Sequence, residues 1–291
     1  MTYNLLSVQP LDVATVAAAL AQCLQVRAQE VDVADETTDQ DLRNWDALVL
    51  CETARVRGDV ATSLDIYIQD SVQPQPAERE LASAFAQAAG TAVLFPAEET
   101  PPSAYWLATA EGLVTRARLY GSDDEEPRLT IDRVETPVGQ LPHVTVARIP
   151  EIVRELKIAT PLADAFAAHL QRLQPEETST PGAPAWTART CLGAWEKLVR
   201  QLEAAWAPSG WYPQDLYRER LEARDKLEQV CTQLPENITV LLHNSLDPLD
   251  ALFAELTVED TDLLRKELGR LEDAAAEHGW WWNRRPEPLP W

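Results

Sequence analysis

Apolar residues change period twice along this chain, and the changes divide it into three stretches. In the first, strand-like and helix-like patterns alternate. Tyr3 to Val8 reads as a short strand, and Leu11 to Leu24 follows with Val13, Val16, Ala17, Leu20 and Leu24 at helical spacing. Val26 to Val33 reads as an edge strand and Asp35 to Asp46 as a loop or short helix. Ala47 to Cys51, Ser63 to Ile68 and Thr91 to Phe95 are apolar strands, and Gly58-Asp59 between the first two has the composition of a hairpin turn. A helix over Ala77 to Ala89 turns Leu81, Phe85 and Ala88 inward and stops at Gly90.

Beyond Pro101-Pro102 the period drops to two. Tyr105 to Ala108, Leu113 to Tyr120 and Arg128 to Val134 read as antiparallel strands, the last pair joined through an acidic turn at Gly121 to Glu126. Helices at Pro150 to Leu156 and Leu162 to Leu173 close this part. The expected fold class is α+β: a mixed or antiparallel sheet with packed helices, followed by a separate all-helical domain. Apolar period disappears over Gln174 to Ala185, QPEETSTPGAPA, so the expected domains are 1–173, a linker at 174–185, and 186–291. In the last part helical spacing covers Ala185 to Ala205, Gln214 to Leu234, a pair broken near Pro248 between Ile238 and Phe253, and Glu259 to His278: four helices packed together.

Charge adds a functional constraint. The net charge is −22, with 13 basic against 26 acidic residues through Leu173 and 12 against 21 after it, so the excess is not one acidic tail. Such a field repels nucleic acid and anionic lipid and attracts basic proteins. No apolar run reaches the length of a membrane span, and Met1 to Val8 lacks a basic leader, so the expected compartment is the cytoplasm. Cys23, Cys51, Cys191 and Cys231 are too scattered for a disulfide framework and read as reduced core residues.

Candidate chemistry is sparse. His143, His169, His243 and His278 have no metal-ligand spacing to one another, to cysteine or to aspartate, and no nucleophile elbow, GxGxxG or P-loop occurs. The expectation is therefore no catalytic residue, no cofactor and no metal. The candidate protein-binding residues are Asp123, Asp124, Glu125 and Glu126, four carboxylates in one turn, suited to arginine forks on a basic partner. Eight of the ten tryptophans lie from Trp186 onward. Three of them, Trp280 to Trp282, are consecutive and cannot all face one core. Arg224 and Asp250, in otherwise apolar helices, are expected to pair and fix helix packing.

Two resemblances bear on function. The L-x-x-R-D-x-L of Leu221, Arg224, Asp225 and Leu227 precedes Leu249, Asp250, Phe253 and Thr257. Trp281, Trp282, Arg284 and Pro286 close the pattern. Over roughly the last 80 residues this resembles small actinobacterial helical proteins of the kind encoded beside polymorphic toxins. RGDVATSLDIYIQD and EGLVTRARLYGSDDEE are similar in style to bacterial immunity proteins. The resemblance implies a non-enzymatic protein that neutralises a basic toxin through an acidic surface. The alternatives from other classes are a small-molecule sensor or enzyme with a pocket in the N-terminal part, and a scaffold docking through the C-terminal part.

Overall fold

The computed structural model describes residues 1–97, 101–122, 128–260 and 279–291. The chain falls into two compact units, Met1–Leu156 and Lys157–Trp291.

The first unit is an α+β arrangement organised around strict alternation in two strands. β1 is Thr2–Ser7, α1 Val13–Leu24, β2 Val31–Ala34, β3 Val49–Arg55, β4 Arg57–Gly58 and β5 Thr62–Ile68. In β5, and in β3 as far as Thr53, every second residue is buried, and the register Val49↔Ile68, Cys51↔Ile66, Thr53↔Leu64 aligns those residues in rows. β1 adds Tyr3 and Leu5 to the same rows, opposite Ile66 and Leu64. α2 is Glu78–Ala89, and it covers this side together with α1. Val16 and Leu20 of α1 and Leu81 and Phe85 of α2 are fully buried there. Asp12 caps α1 by accepting the Thr15 N–H at 2.7 Å.

On the other side of β1 come β6 Val93–Pro96, β7 Ala104–Ala108, β8 Val114–Gly121, β9 Arg128–Val134 and β10 Thr145–Val146. The resulting ten-stranded sheet runs β10-β9-β8-β7-β6-β1-β5-β3-β2. Its remaining strand, β4, pairs in parallel with β9, Arg57↔Arg128 and Gly58↔Leu129, so the sheet doubles back on itself. The closure encloses a second core of Val60, Leu94, Leu107, Leu119, Ile131 and Val134. Gly58-Asp59 lies in the β3–β5 connection, as its composition suggests, and is also the contact that closes the sheet. A Cβ on Gly58 would sit 2.2 Å from the Leu129 carbonyl oxygen, and its φ is +114°, so no other residue fits without displacement. Asp59 accepts the Ile131 N–H and meets His143 Nε2, each at 2.8 Å. α3, Pro150–Glu155, ends the unit.

The second unit contains α4 Pro161–Leu173, α5 Pro175–Ser179, α6 Pro184–Glu203, α7 Gln214–Cys231 and α8 Glu236–Leu256. A short antiparallel pair joins β11 Val258–Glu259 to β12 Arg284–Arg285. Two expectations are corrected here. The division falls at Leu156, not within Gln174–Ala185, which instead holds α5 and the start of α6. The reason is a contact between distant parts of the chain: the fully buried Glu196 carboxylate of α6 accepts the Leu162 and Ala163 N–H groups at 3.2 and 2.7 Å, capping α4 and tying it to the helices that follow. Pro248 does not break α8. Leu242, Leu246, Leu249 and Phe253 are buried on both sides of it, and that packing outweighs the one lost N–H. Most of the helix expected over Glu259–His278 lies outside the described residues. Among the described residues no helix is long and apolar enough to cross a membrane.

Candidate functional site

Alternation in β3 and β5 buries one face of the sheet and presents the other. That exposed face carries two cross-strand rows. One runs Asn4, Asp65, Glu52; the next runs Thr2, Tyr67, Leu50, Asp32. Glu52 and Asp65 stand directly opposite each other, and both are exposed. Like charges in this position oppose strand pairing. Arg43 relieves part of the repulsion, with Nη1 on Glu52 at 3.0 Å and Nε on Asp32 at 2.8 Å. The Asp65 side chain forms no hydrogen bond or ion pair among the described residues. Two aromatic side chains belong to this surface: Tyr67, 45% exposed, and Trp45, 56% exposed, whose ring lies 4.5 Å from the Arg43 guanidinium.

Two adjoining hollows of about 340 and 310 Å³ lie at the ends of these strands, the first beside the start of α1 and the second on the exposed face. Asp35, Glu36, Thr53 and Ala54 line both; Asp12 and Arg55 line the first, Glu52 and Asp65 the second. Asp12 is held below the usual aspartate range by the Thr15 N–H at the start of α1. Asp35 is held below it by the Thr37 hydroxyl and N–H, with Thr38 adding to them. Both are anions at neutral pH, so the hollows are polar and negative.

Asp123, Asp124, Glu125 and Glu126, the residues singled out by sequence, lie outside the described residues. The strands on either side of them are described, and between these strands and α3 lies a groove of about 590 Å³. Its lining includes Pro101, Pro102, Tyr105, Tyr120, Glu151 and Glu155. At its base Arg118 is bound by Asp132 through Nε and Nη2, reaches Glu151 at 3.2 Å, and lies 5.5 Å from the Tyr120 ring centre. Burial alone would depress the Arg118 pKa; the Asp132 carboxylate outweighs it and raises the value.

In the helical unit the residues of the C-terminal resemblance converge. Arg224 of α7 bonds Asp250 of α8 through Nε and Nη2, at 3.2 and 2.8 Å, as the paired charges led us to expect. Asp250 also accepts the Trp195 indole N–H at 2.9 Å. Asp225 accepts the indole N–H groups of Trp281 and Trp282, and the Trp281 ring stacks 4.1 Å from the Arg224 guanidinium. Arg284 returns to α8 through the Thr257 hydroxyl and the Ala254 and Thr257 carbonyls. Trp281 and Trp282 are buried, whereas Trp280 is 42% exposed, so the three do divide between core and surface. The polar groups of this cluster satisfy one another, which is the pattern of a structural clasp.

Other chemistry is thin among the described residues. His143 pairs with Asp59 across 84 residues of chain, a relation no local spacing reveals. His169 and His243 bond the carbonyls four residues before them on their own helices. The cysteines are free, and burial pushes the Cys23 thiol up to about 11, away from reactivity. No group of three histidine, cysteine or carboxylate side chains there could hold a metal. The acidic sheet face was missed in the sequence, although the pattern Leu64-Asp65-Ile66-Tyr67-Ile68 already sets Asp65 and Tyr67 opposite the core. Compared with protein-family models, curated proteins and solved structures, the chain matches none of them.

Proposed function

We propose that this chain is a non-catalytic binding protein that holds a basic protein partner on the acidic surface of its N-terminal unit. The observation that carries the reading is the Glu52–Asp65 pair: two carboxylates facing each other across neighbouring strands, exposed, with Tyr67 beside them. A surface free of function gains nothing from this placement, since like charges directly opposite weaken the sheet. A partner presenting arginine or lysine would neutralise both, and exposed tyrosine and tryptophan are the residues that dominate interface energetics. The four carboxylates Asp123 to Glu126 add to the negative charge that would attract such a partner. An immunity-type role, in which the partner is a toxin masked at its basic face, is the specific form of this reading favoured by the sequence resemblance.

Affinity capture from the native host with the wild-type chain and with a Glu52→Gln/Asp65→Asn variant tests the proposal. The expected result is a basic protein retained at low salt by the wild type and released by the variant, with both chains equally folded. Equal retention by the two chains overturns the assignment of the surface. A partner whose own activity is unchanged when bound removes the immunity role and leaves the binding role.

A further inference from the structure

We infer that the groove between β8, β9 and α3 is a recognition site for an extended, proline-containing segment that carries one arginine or lysine. The inference rests on the protein-binding reading and specifies the chemistry of one contact within it. The lining is dominated by flat apolar surface: Pro101, Pro102, Tyr105 and Tyr120. The strands beneath cannot recruit a further strand, because β7, β8 and β9 are each paired on both sides. A ligand must therefore be held through its side chains and rings. A polyproline-type segment suits that constraint, since it has no internal backbone hydrogen bonds, is stiff before binding, and docks on aromatic rings.

Charge selects the ligand's polar group. Glu151 and Glu155 are four residues apart on α3, hence on one face of that helix, and both line the groove. Glu151 is half exposed and meets Arg118 through one oxygen at 3.2 Å, which leaves acceptor capacity for an incoming cation. An anionic ligand has no comparable anchor, because Nε, Nη1 and Nη2 of Arg118 are already engaged by Asp132 and Glu151. Arg118 is thus a positioning residue that sets the Glu151 carboxylate and the Tyr120 ring. Tyr120 is 48% exposed, so part of its ring is available to stack on proline or guanidinium.

The test uses three labelled peptide pools. One carries a single arginine beside a Pro-x-x-Pro core, one replaces that arginine with glutamate, and one is proline-free with the same positive charge. Saturable binding by the arginine–proline pool alone is expected, weakened about tenfold by Tyr120→Ala and by Glu155→Gln, both at exposed positions, with thermal melts confirming that each variant is folded. Amide shifts should be confined to the segments around Tyr105, Tyr120 and Glu151. No saturable binding at millimolar peptide overturns the inference. Equal binding of the proline-free pool also overturns it, while the acidic-surface reading survives. Loss of binding in Glu52→Gln/Asp65→Asn, but not in Tyr120→Ala, overturns the inference and moves the contact to the acidic surface.

Discussion

The indole N–H of Trp281 ends on Asp225 Oδ1 at 2.9 Å, joining the C-terminal segment to α7 across 56 residues of chain. Trp282 uses the second oxygen of the same carboxylate at 2.8 Å. Removing the acceptor would leave two indole donors in a buried setting. Asp225→Ala is therefore expected to cost about 3 kcal/mol, two buried hydrogen bonds to a charged acceptor at roughly 1.5 kcal/mol each. Asp225→Asn, which keeps one acceptor oxygen, should cost less. Thermal melts of the three chains check this ordering; an unchanged midpoint for Asp225→Ala would remove the clasp from the account of stability.

Arg224 is almost fully buried among Asp250, Glu228 and the Trp281 ring. Arg224→Ala leaves the partly buried Asp250 without its cation and is expected to cost about 2–3 kcal/mol, below the range for a fully buried pair. Replacing both residues, Arg224→Met with Asp250→Asn, should recover part of the loss, because the amide oxygen introduced on α8 can still accept the Trp195 N–H. A denaturant-based double-mutant cycle gives the coupling directly, and strictly additive losses would show that the pair does not act as a unit.

The exposed carboxylate pair makes a prediction of opposite sign. Asp65→Asn removes like-charge repulsion from Glu52 and should stabilise the chain by about 0.2–1 kcal/mol at low ionic strength, less as salt is added. If the same substitution weakens partner binding, stability and function oppose each other at this residue. A destabilised Asp65→Asn would contradict the argument from repulsion.

Acid should loosen the first unit only as pH falls through and below the ordinary carboxylate range. The Arg118 hydrogen bonds hold Asp132 below its usual pKa of 3.8, against the smaller opposing effect of burial. Asp12 and Asp35 are depressed by their threonine donors. A group depressed by folding contributes stability that is complete above its unfolded pKa and is lost as pH falls through the folded value. Melting temperature should therefore be flat with respect to these groups above about pH 5 and decline below about pH 4. In Asp132→Asn the decline should be shallower. An unchanged acid limb in that variant would show that Asp132 is not among the groups responsible.

Much of this architecture was legible in the sequence, for reasons that can be named. β5 was placed within a residue because alternation over seven positions has no helical competitor. The pairing of Arg224 with Asp250 followed from the cost of burying either alone. The boundary was misplaced because Gln174–Ala185 has no apolar period, whereas a buried carboxylate from α6, 33 residues away from Ala163, decides where α4 belongs. Pro248 misled for a similar reason: local propensity is weak beside two flanking turns of buried leucine. The acidic face was hidden because it exists only in the register of β3 against β5, which places Glu52 beside Asp65 although they are far apart in the chain.

Closure of the sheet by Gly58 and Leu129 also has a consequence for synthesis. The first strands of the unit can pair as soon as they leave the ribosome, but the core beneath Val60 stays open until Leu129 and Ile131 arrive, the latter 72 residues after Asp59. A nascent chain halted before β9 therefore presents an unsealed apolar interior and an unpaired β4, and both are surfaces that chaperones bind. Gly58→Ala, whose new Cβ would press on the Leu129 carbonyl, should prolong that vulnerable interval even when β9 is complete. Protease sensitivity of stalled chains of increasing length should drop sharply once β9 has emerged in the wild type, and later or incompletely in the variant.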